Sequence, residues 1–446
     1  MQGTPINTGN LNLTPGESQL DSAPAFIPPA RPQKQVTATL SFLSACIALL
    51  MTGFGIIIPV YPQRLQALGL GAETLALMEG GFGLGMFLFS TPMGTLAWRI
   101  GRKPVVLLSL SGFVLTNVFL AFVNLPPLFI VVRFVEGALA AGFMPASMAM
   151  VGDILPVKRQ GRWIGIMTTA QAAGIALGPG IGGFLYQAWG FTTPFLLTSG
   201  LALIASLLAL VMLPETLPLV VRASILTQQK SSQNQEKTAA STGTQSVRKL
   251  LWLFAAFVLI DFGITFTYPF TLPQYPFFFE KVLHYNAAQY GLIISMYGLS
   301  LAVFPLLLGR LSELLPKKTL IVLGCVLESA LNLGMLFLHQ YALLIAAAVI
   351  TGLGIALLAP ALGTAYLSAT TDQNRSQVMG IRGSALSLAV LLAPLTQAAV
   401  SHWITPQISF AIGGVLALFI ALFAAITLKK HVIRAFLVGT LETFSD

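Results

Sequence analysis

Arg133 and Glu136 stand out because they are charged residues inside a long apolar run. Three residues apart, they share one face of a helix and can neutralise each other. A carboxyl in that setting is pulled two ways: the cation favours its anion, and burial favours its neutral acid. Such a group can bind a proton in one conformation and release it in another. The same pair can also be a permanent ionic contact that only packs helices. Asp261 begins a second constellation, with Thr265 and Tyr268 at i+4 and i+7 on the same helical face. Phe262 and Phe266, with Phe254 and Phe257, place aromatic surface nearby. A desolvated carboxylate among aromatic rings suits a lipophilic cation through charge and cation–π contact, and Asp261 is a candidate to carry the proton as well. The alternative is an aspartate bonded to a neighbouring helix.

Other polar residues in apolar surroundings invite plainer readings. Glu79 falls about five residues inside its run, close enough to an end to be hydrated. Arg382 is near enough to the other end to snorkel. Glu328 is central in its run and needs an inward partner to be tolerated there. Gln171 and Gln397 are candidate polar partners between the halves, with packing the plainer job, while His339 and His402 lie at loop ends and read as solvated.

Residues 165–183 carry a different signal, Gly165-x8-Gly174-x3-Gly178-Pro179-x2-Gly182-Gly183. Gly174, Gly178 and Gly182 recur every four residues and so line one helical face, where small residues let another backbone approach closely. Pro179 lacks an N–H and crowds the preceding turn, so a bend is expected there.

The elements that hold these residues follow from composition. Of the 446 residues, 55% are hydrophobic and only 9% charged, against about 25% charged in ordinary globular domains. The apolar runs are about 20 residues long, enough to cross roughly 30 Å of hydrocarbon as helices. Twelve spans are read, at about 38–60, 74–98, 104–123, 128–151, 163–187, 192–213, 250–276, 288–314, 318–338, 341–367, 377–401 and 407–428. Residues 1–37 read as a disordered cytoplasmic tail, neither a signal peptide nor a span, and 431–446 as a second cytoplasmic tail. Bundles at 38–213 and 250–430 flank a polar linker, 214–249.

With the N-terminus inside, twenty of the 24 Lys and Arg fall on the cytoplasmic side and two, Arg64 and Lys281, outside. That asymmetry places both termini in the cytoplasm. The net charge of +9 is thereby explained by orientation and anionic lipid, and no nucleic-acid partner is expected. The chain also repeats itself: Gly94/Gly309, Gly137/Gly352, Pro145/Pro360, Gly165/Gly380 and Pro179/Pro394 are each 215 residues apart. Two parallel six-helix repeats with a site between them describe a transporter.

Three motifs resemble the major facilitator superfamily, within it the twelve-helix drug–proton antiporter branch. The glycine pattern of the fifth span is similar to that branch's antiporter motif, and the resemblance implies that the kink and stripe let the two halves seal against each other. The turn Gly94-Thr-Leu-Ala-Trp98-Arg99-Ile-Gly101-Arg102-Lys103 resembles the superfamily's gating-loop signature, with Trp98 where the family has aspartate. The resemblance implies that this aspartate latches against the start of helix 11, which tryptophan cannot do. The second-half copy keeps a carboxylate, Glu313. Arg133-Phe-Val-Glu136-Gly137 resembles an Arg-x-x-Gln-Gly element associated with proton coupling.

The resemblance implies an all-α membrane protein of twelve helices in two pseudo-symmetric bundles. It further implies proton-coupled efflux of small lipophilic compounds by alternating access, by a monomer without a cofactor, in the inner (plasma) membrane. Proton-coupled or facilitated transport of a sugar or organic acid is the alternative, and a non-transporting membrane sensor a more distant one. No Gly-x4-Gly-Lys-Ser/Thr loop, metal-spaced cluster or nucleophile motif is present, which argues against an ATP-driven pump or an enzyme.

Overall fold

A computed structural model of the chain describes residues 33–155, 157–216, 236–308, 315–370 and 375–442. Twelve helices among the described residues are long and apolar enough to cross a membrane. In order they are α1 (Gln35–Ala67), α2 (Ala72–Ile100), α3 (Arg102–Phe122), α4 (Pro126–Ile154), α5 (Arg162–Trp189) and α6 (Thr192–Met212). The second six are α7 (Phe254–Lys281), α8 (Ala287–Pro305), α9 (Lys317–Phe337), α10 (Tyr341–Tyr366), α11 (Val378–Val400) and α12 (Pro406–Leu428). Strands are absent from the described residues. The protein is thus the expected all-α, twelve-helix membrane protein.

Apolar residues face both ways, as a lipid solvent allows. Val211 and Phe337 are 83% and 76% exposed, whereas Phe129, Phe195 and Tyr366 are completely buried within their bundles. Irregularities fall where the backbone demands them. Gly101 has φ 111°, closed to most side chains, and reverses the chain between α2 and α3. In α4 the helix divides into Pro126–Ala140 and Phe143–Ile154. Helix α7 passes through a 3-10 turn at Leu272–Gln274, where Pro273 cannot donate, before its last section Tyr275–Lys281.

Three helix ends differ from the sequence reading. The first helix begins at Gln33 and the last runs to Glu442, each entering a segment read as a tail. The helix containing α7 begins at Glu236, inside the segment read as a linker. Helix boundaries follow backbone hydrogen bonding and can outrun the apolar stretch.

The start of α1 and the α2–α3 turn define a proximal face; the opposite ends form the distal face. The halves meet near the distal face. A Cβ placed on Gly183 or Gly291 would strike the backbone of Ala287 or Pro179, at 2.3 and 2.2 Å, so α5 and α8 touch main chain to main chain. Gly80 packs on Leu395 and Gly83 on Leu391, joining α2 to α11. At the proximal ends of these helices, Gly94, Gly165, Gly380 and Gly383 have no neighbour within 4 Å of an added Cβ. The close contacts of the seam therefore do not extend to these four positions, which face open space.

Candidate functional site

The deepest charge cluster is built from α2, α3 and α4. Arg133 donates to Glu136 Oε2 at 2.9 Å and to Glu79 Oε1 at 3.0 Å. The first contact is the i,i+3 pair expected from the sequence. The second corrects the reading of Glu79 as a hydrated residue: its carboxylate pairs with an arginine 54 positions away. Arg133 is completely buried and Glu136 1% exposed, while the Glu79 side chain is 15% exposed. Asn117 Nδ2 lies 3.4 Å from the free oxygen of Glu136, and the Arg133 guanidinium sits 4.5 Å from the Phe82 ring centre. Two carboxylates on one guanidinium give the cluster a net negative charge when both are ionised. A bound proton removes that excess without breaking the pairing of the remaining carboxylate. Glu79 shares a small cavity with Ile57, Ile58, Leu272 and Tyr290, from both halves, so the cluster reaches the seam between them.

Asp261 has a different environment from the one expected. It accepts a hydrogen bond from Arg382 Nε at 2.7 Å, and that guanidinium lies 5.1 Å from the Tyr366 ring centre. Arg382 therefore does not snorkel; it ties α11 to α7. Thr265, Phe262, Phe266 and Tyr268 are half-buried. Phe262 and Phe266 rings are 5.9 Å apart, and Tyr268 stacks on Tyr297 of α8 at 5.3 Å. Phe254 and Phe257 are instead closed in the bundle core against Tyr366 and present no surface to a substrate.

The glycine stripe of α5 packs inside its own half and not against the other one. Added Cβ atoms on Gly174, Gly178 and Gly182 would meet the carbonyl oxygens of Ala48, Thr52 and Ile56 at 2.4, 2.5 and 2.5 Å. All three belong to α1, in the same half. The stripe thus welds α5 to α1, and the seam with the other half is made by Ala176, Pro179, Gly180 and Gly183. Gly180 N donates to Ser295 Oγ of α8 at 2.8 Å, a backbone donor freed near the proline. Gly165 lies in the open proximal region.

The turn carrying Trp98 is held by its own half. Arg102 stacks on the Trp98 ring at 3.9 Å and pairs with Asp153 at 3.4 Å. Backbone N–H groups of Arg102 and Lys103 donate to the Glu215 carboxylate at 3.0 and 3.2 Å, the anion at a helix start that the dipole favours. Lys103 Nζ donates to Leu210 O. Glu313 lies outside the described residues. Gln397 is completely buried, and its amide has no hydrogen-bond partner among the described residues.

Two distal contacts had no cue in the sequence. Gln63 and Gln66 of α1 both donate to Glu280 Oε2 at the end of α7, at 2.6 and 2.7 Å. His402 Nε2 lies 2.9 Å from Glu73 Oε2, so this histidine has a partner despite its exposure. Partners 214 and 217 residues apart leave no local pattern. Glu280→Ala removes the acceptor of both glutamines and is expected to loosen the distal seam. The check is thiol labelling of a cysteine placed at Ala288: several-fold faster labelling is expected, and an unchanged rate would mean the glutamines add nothing to closure.

Known proteins share this architecture and sequence. The chain is 27% identical over 343 residues to multidrug resistance protein 2 of Bacillus subtilis, covering 77% of this chain and 83% of that protein. It is 23% identical over 379 residues to the quinolone resistance protein NorA of Staphylococcus aureus, covering 83% and 92%. Among solved structures, a D-xylose–proton symporter superposes with a TM-score of 0.66 at 16% identity, covering 86% of this chain and 96% of its own. A bacterial homologue of the human lysosomal transporter Spinster gives 0.69 at 13% identity, covering 91% and 98%. The Major Facilitator Superfamily model matches residues 43–285, from α1 through α7, and 270–437, from the end of α7 past α12. Two welded six-helix bundles, a seam of close backbone contacts and a family match along nearly the whole chain lead to one conclusion: the chain belongs to the Major Facilitator Superfamily and is a membrane transporter, not an enzyme.

Proposed function

We propose that the protein exports small lipophilic compounds, cationic ones among them, in exchange for protons by alternating access. The observation that carries this reading is the Glu79–Arg133–Glu136 cluster: two carboxylates share one buried guanidinium beside the seam. Arg133 can fully compensate only one of them, so proton occupancy and the position of α2 relative to α4 depend on each other. A proton entering from outside would neutralise the second carboxylate and let the halves rearrange. The membrane potential contributes about 2.3 kcal/mol per charge per 100 mV to that step. Both termini are cytoplasmic in this reading, so the open proximal side takes substrate from the cytoplasm and the distal seam is the closed exit.

Asp261 and the half-buried rings of Phe262, Phe266 and Tyr268 form the substrate-facing wall. A lipophilic cation would compete with Arg382 for the Asp261 carboxylate while its apolar part rests on aromatic surface. Kinship with a multidrug and a quinolone resistance protein supports this substrate class. The protein works as a monomer in the plasma membrane in this reading.

Proton release from the purified, detergent-solubilised protein tests it, with tetraphenylphosphonium, a neutral drug and xylose as probes. The wild type should release protons on adding the lipophilic cation and not on adding xylose. Glu136→Gln should abolish the release; Asp261→Asn should weaken binding of the cation and leave release at saturation. Release triggered by xylose alone would replace this reading with sugar–proton transport.

A further inference from the structure

The two halves place a buried carboxyl in matching polar pockets, but on different helices and with different company. In the first half Asn117 reaches Glu136 of α4, beside Arg133. The positions 215 residues on are Asn332, Thr351 and Ala348, so the second pocket lacks the cation. Its acid is Glu328 on α9, which matches Phe113 in the first half. Phe113 there packs against Gly53, and the residue 214 positions beyond Gly53 is Thr267, the partner of Glu328. An aromatic contact in one repeat has become an acid–hydroxyl contact in the other.

The single hydroxyl hydrogen of Thr267 ties its two contacts to the protonation of Glu328. Thr267 Oγ1 lies 2.7 Å from Ile264 O and 2.7 Å from Glu328 Oε1. A threonine hydroxyl has one hydrogen and Ile264 O can only accept. If that hydrogen goes to Ile264 O, the second contact is a hydrogen bond only when Glu328 donates. Glu328 is 2% exposed, its Oε2 has no hydrogen-bond partner, and it forms no ion pair among the described residues. The groups around it are uncharged: Thr267 and Tyr275 from α7, Tyr297 from α8, Thr351 from α10, and Cys325 and Asn332 on α9 itself. An anion there would have neither solvent nor a cation.

We propose that Glu328 is a second proton-binding site of the transporter, loaded in this conformation, through which α9 grips α7. The inference extends the proton-coupled reading with a site in the other half. The step is a bare proton transfer: water takes the proton from the carboxyl, and no other bond changes. Its lever is position. Thr267 lies just before the 3-10 turn of α7, and beyond that turn Tyr275 OH donates to Asn332 Oδ1 at 2.5 Å, one helical turn from Glu328. Loss of the proton would make Thr267 donate to Glu328 and give up Ile264 O, loosening the section of α7 that ends in Glu280.

Infrared difference spectroscopy of the protein in lipid nanodiscs, without substrate, reads this proton directly. The protonated-carboxyl band should be present in the wild type and in Glu136→Gln, be lost in Glu328→Gln and shift in Thr267→Val. Raising the pH should diminish the wild-type band reversibly while circular dichroism stays constant. If Glu328→Gln instead loses carboxylate bands, the site is ionised and the proposal fails. It fails equally if the wild-type band is unchanged at every pH the fold survives. Neither outcome depends on whether the protein exports drugs, so failure of the efflux reading would appear separately in the proton-release assay.

Discussion

Gly178→Leu is expected to abolish transport and lower the stability of the first bundle, while Gly183→Leu abolishes transport and leaves that bundle intact. A Cβ on Gly178 would lie 2.5 Å from Thr52 O and 2.7 Å from Gly55 Cα, both backbone atoms of α1 that cannot rotate away. Leucine adds three more carbons, so α1 and α5 must separate along the stripe. Overpacking of this kind costs about 1–3 kcal/mol even where a core can yield. Gly183 faces the other half: its Cβ would lie 2.3 Å from Ala287 O of α8. That clash sits on the seam, so the strain is relieved by opening the distal side rather than by unfolding. Thermal unfolding in detergent combined with labelling of a distal cysteine separates the two. A destabilised, distally closed Gly178→Leu beside a stable, distally open Gly183→Leu is the expected result. Equal loss of stability in both variants would mean that the seam is as integral to folding as the α1–α5 contact.

The second large effect is expected at Arg133. Arg133→Leu leaves Glu79 and Glu136 without their shared cation, in a pocket where Glu136 is 1% exposed. Removing one partner of a buried pair typically costs about 3–5 kcal/mol, because the remaining charge must be neutralised or hydrated. Here both carboxyls must take up a proton for the bundle to hold together. The variant should therefore be better folded at acid pH than at alkaline pH and inactive at both. The double variant Arg133→Leu/Glu136→Gln removes one of the two stranded charges and should recover part of the stability without recovering transport. Fluorescence-detected size exclusion of the detergent-extracted variants across pH, with efflux from vesicles, checks this. A fully stable single variant at alkaline pH would mean that another cation replaces Arg133. Lysine is a poor substitute, since one ammonium cannot present the guanidinium's fixed fork of donors to two carboxylates.

Much of the architecture is legible in the residues because the relevant physics is local. Hydrocarbon thickness sets the length of each span, and the unsolvated backbone makes it a helix, so twelve runs became twelve helices. The Arg133–Glu136 contact was equally visible, since i,i+3 geometry is a property of one helix. The glycine spacing correctly indicated a close helix contact.

The identity of partners was decided elsewhere. Each helix can rotate and slide against its neighbours, and those few degrees of freedom determine which side chains meet. That is why the stripe of Gly174, Gly178 and Gly182 found α1 rather than the other half. For the same reason Glu79 joined Arg133, Arg382 reached Asp261 across 121 positions, and Glu280 collected Gln63 and Gln66. By itself the sequence determined which charges lie within apolar spans and that Arg133 and Glu136 share one helical face. Only the tertiary packing decided which of them are paired: Glu136 with a guanidinium, Glu328 with a hydroxyl, because pairing between helices depends on their relative rotation and not on spacing along the chain.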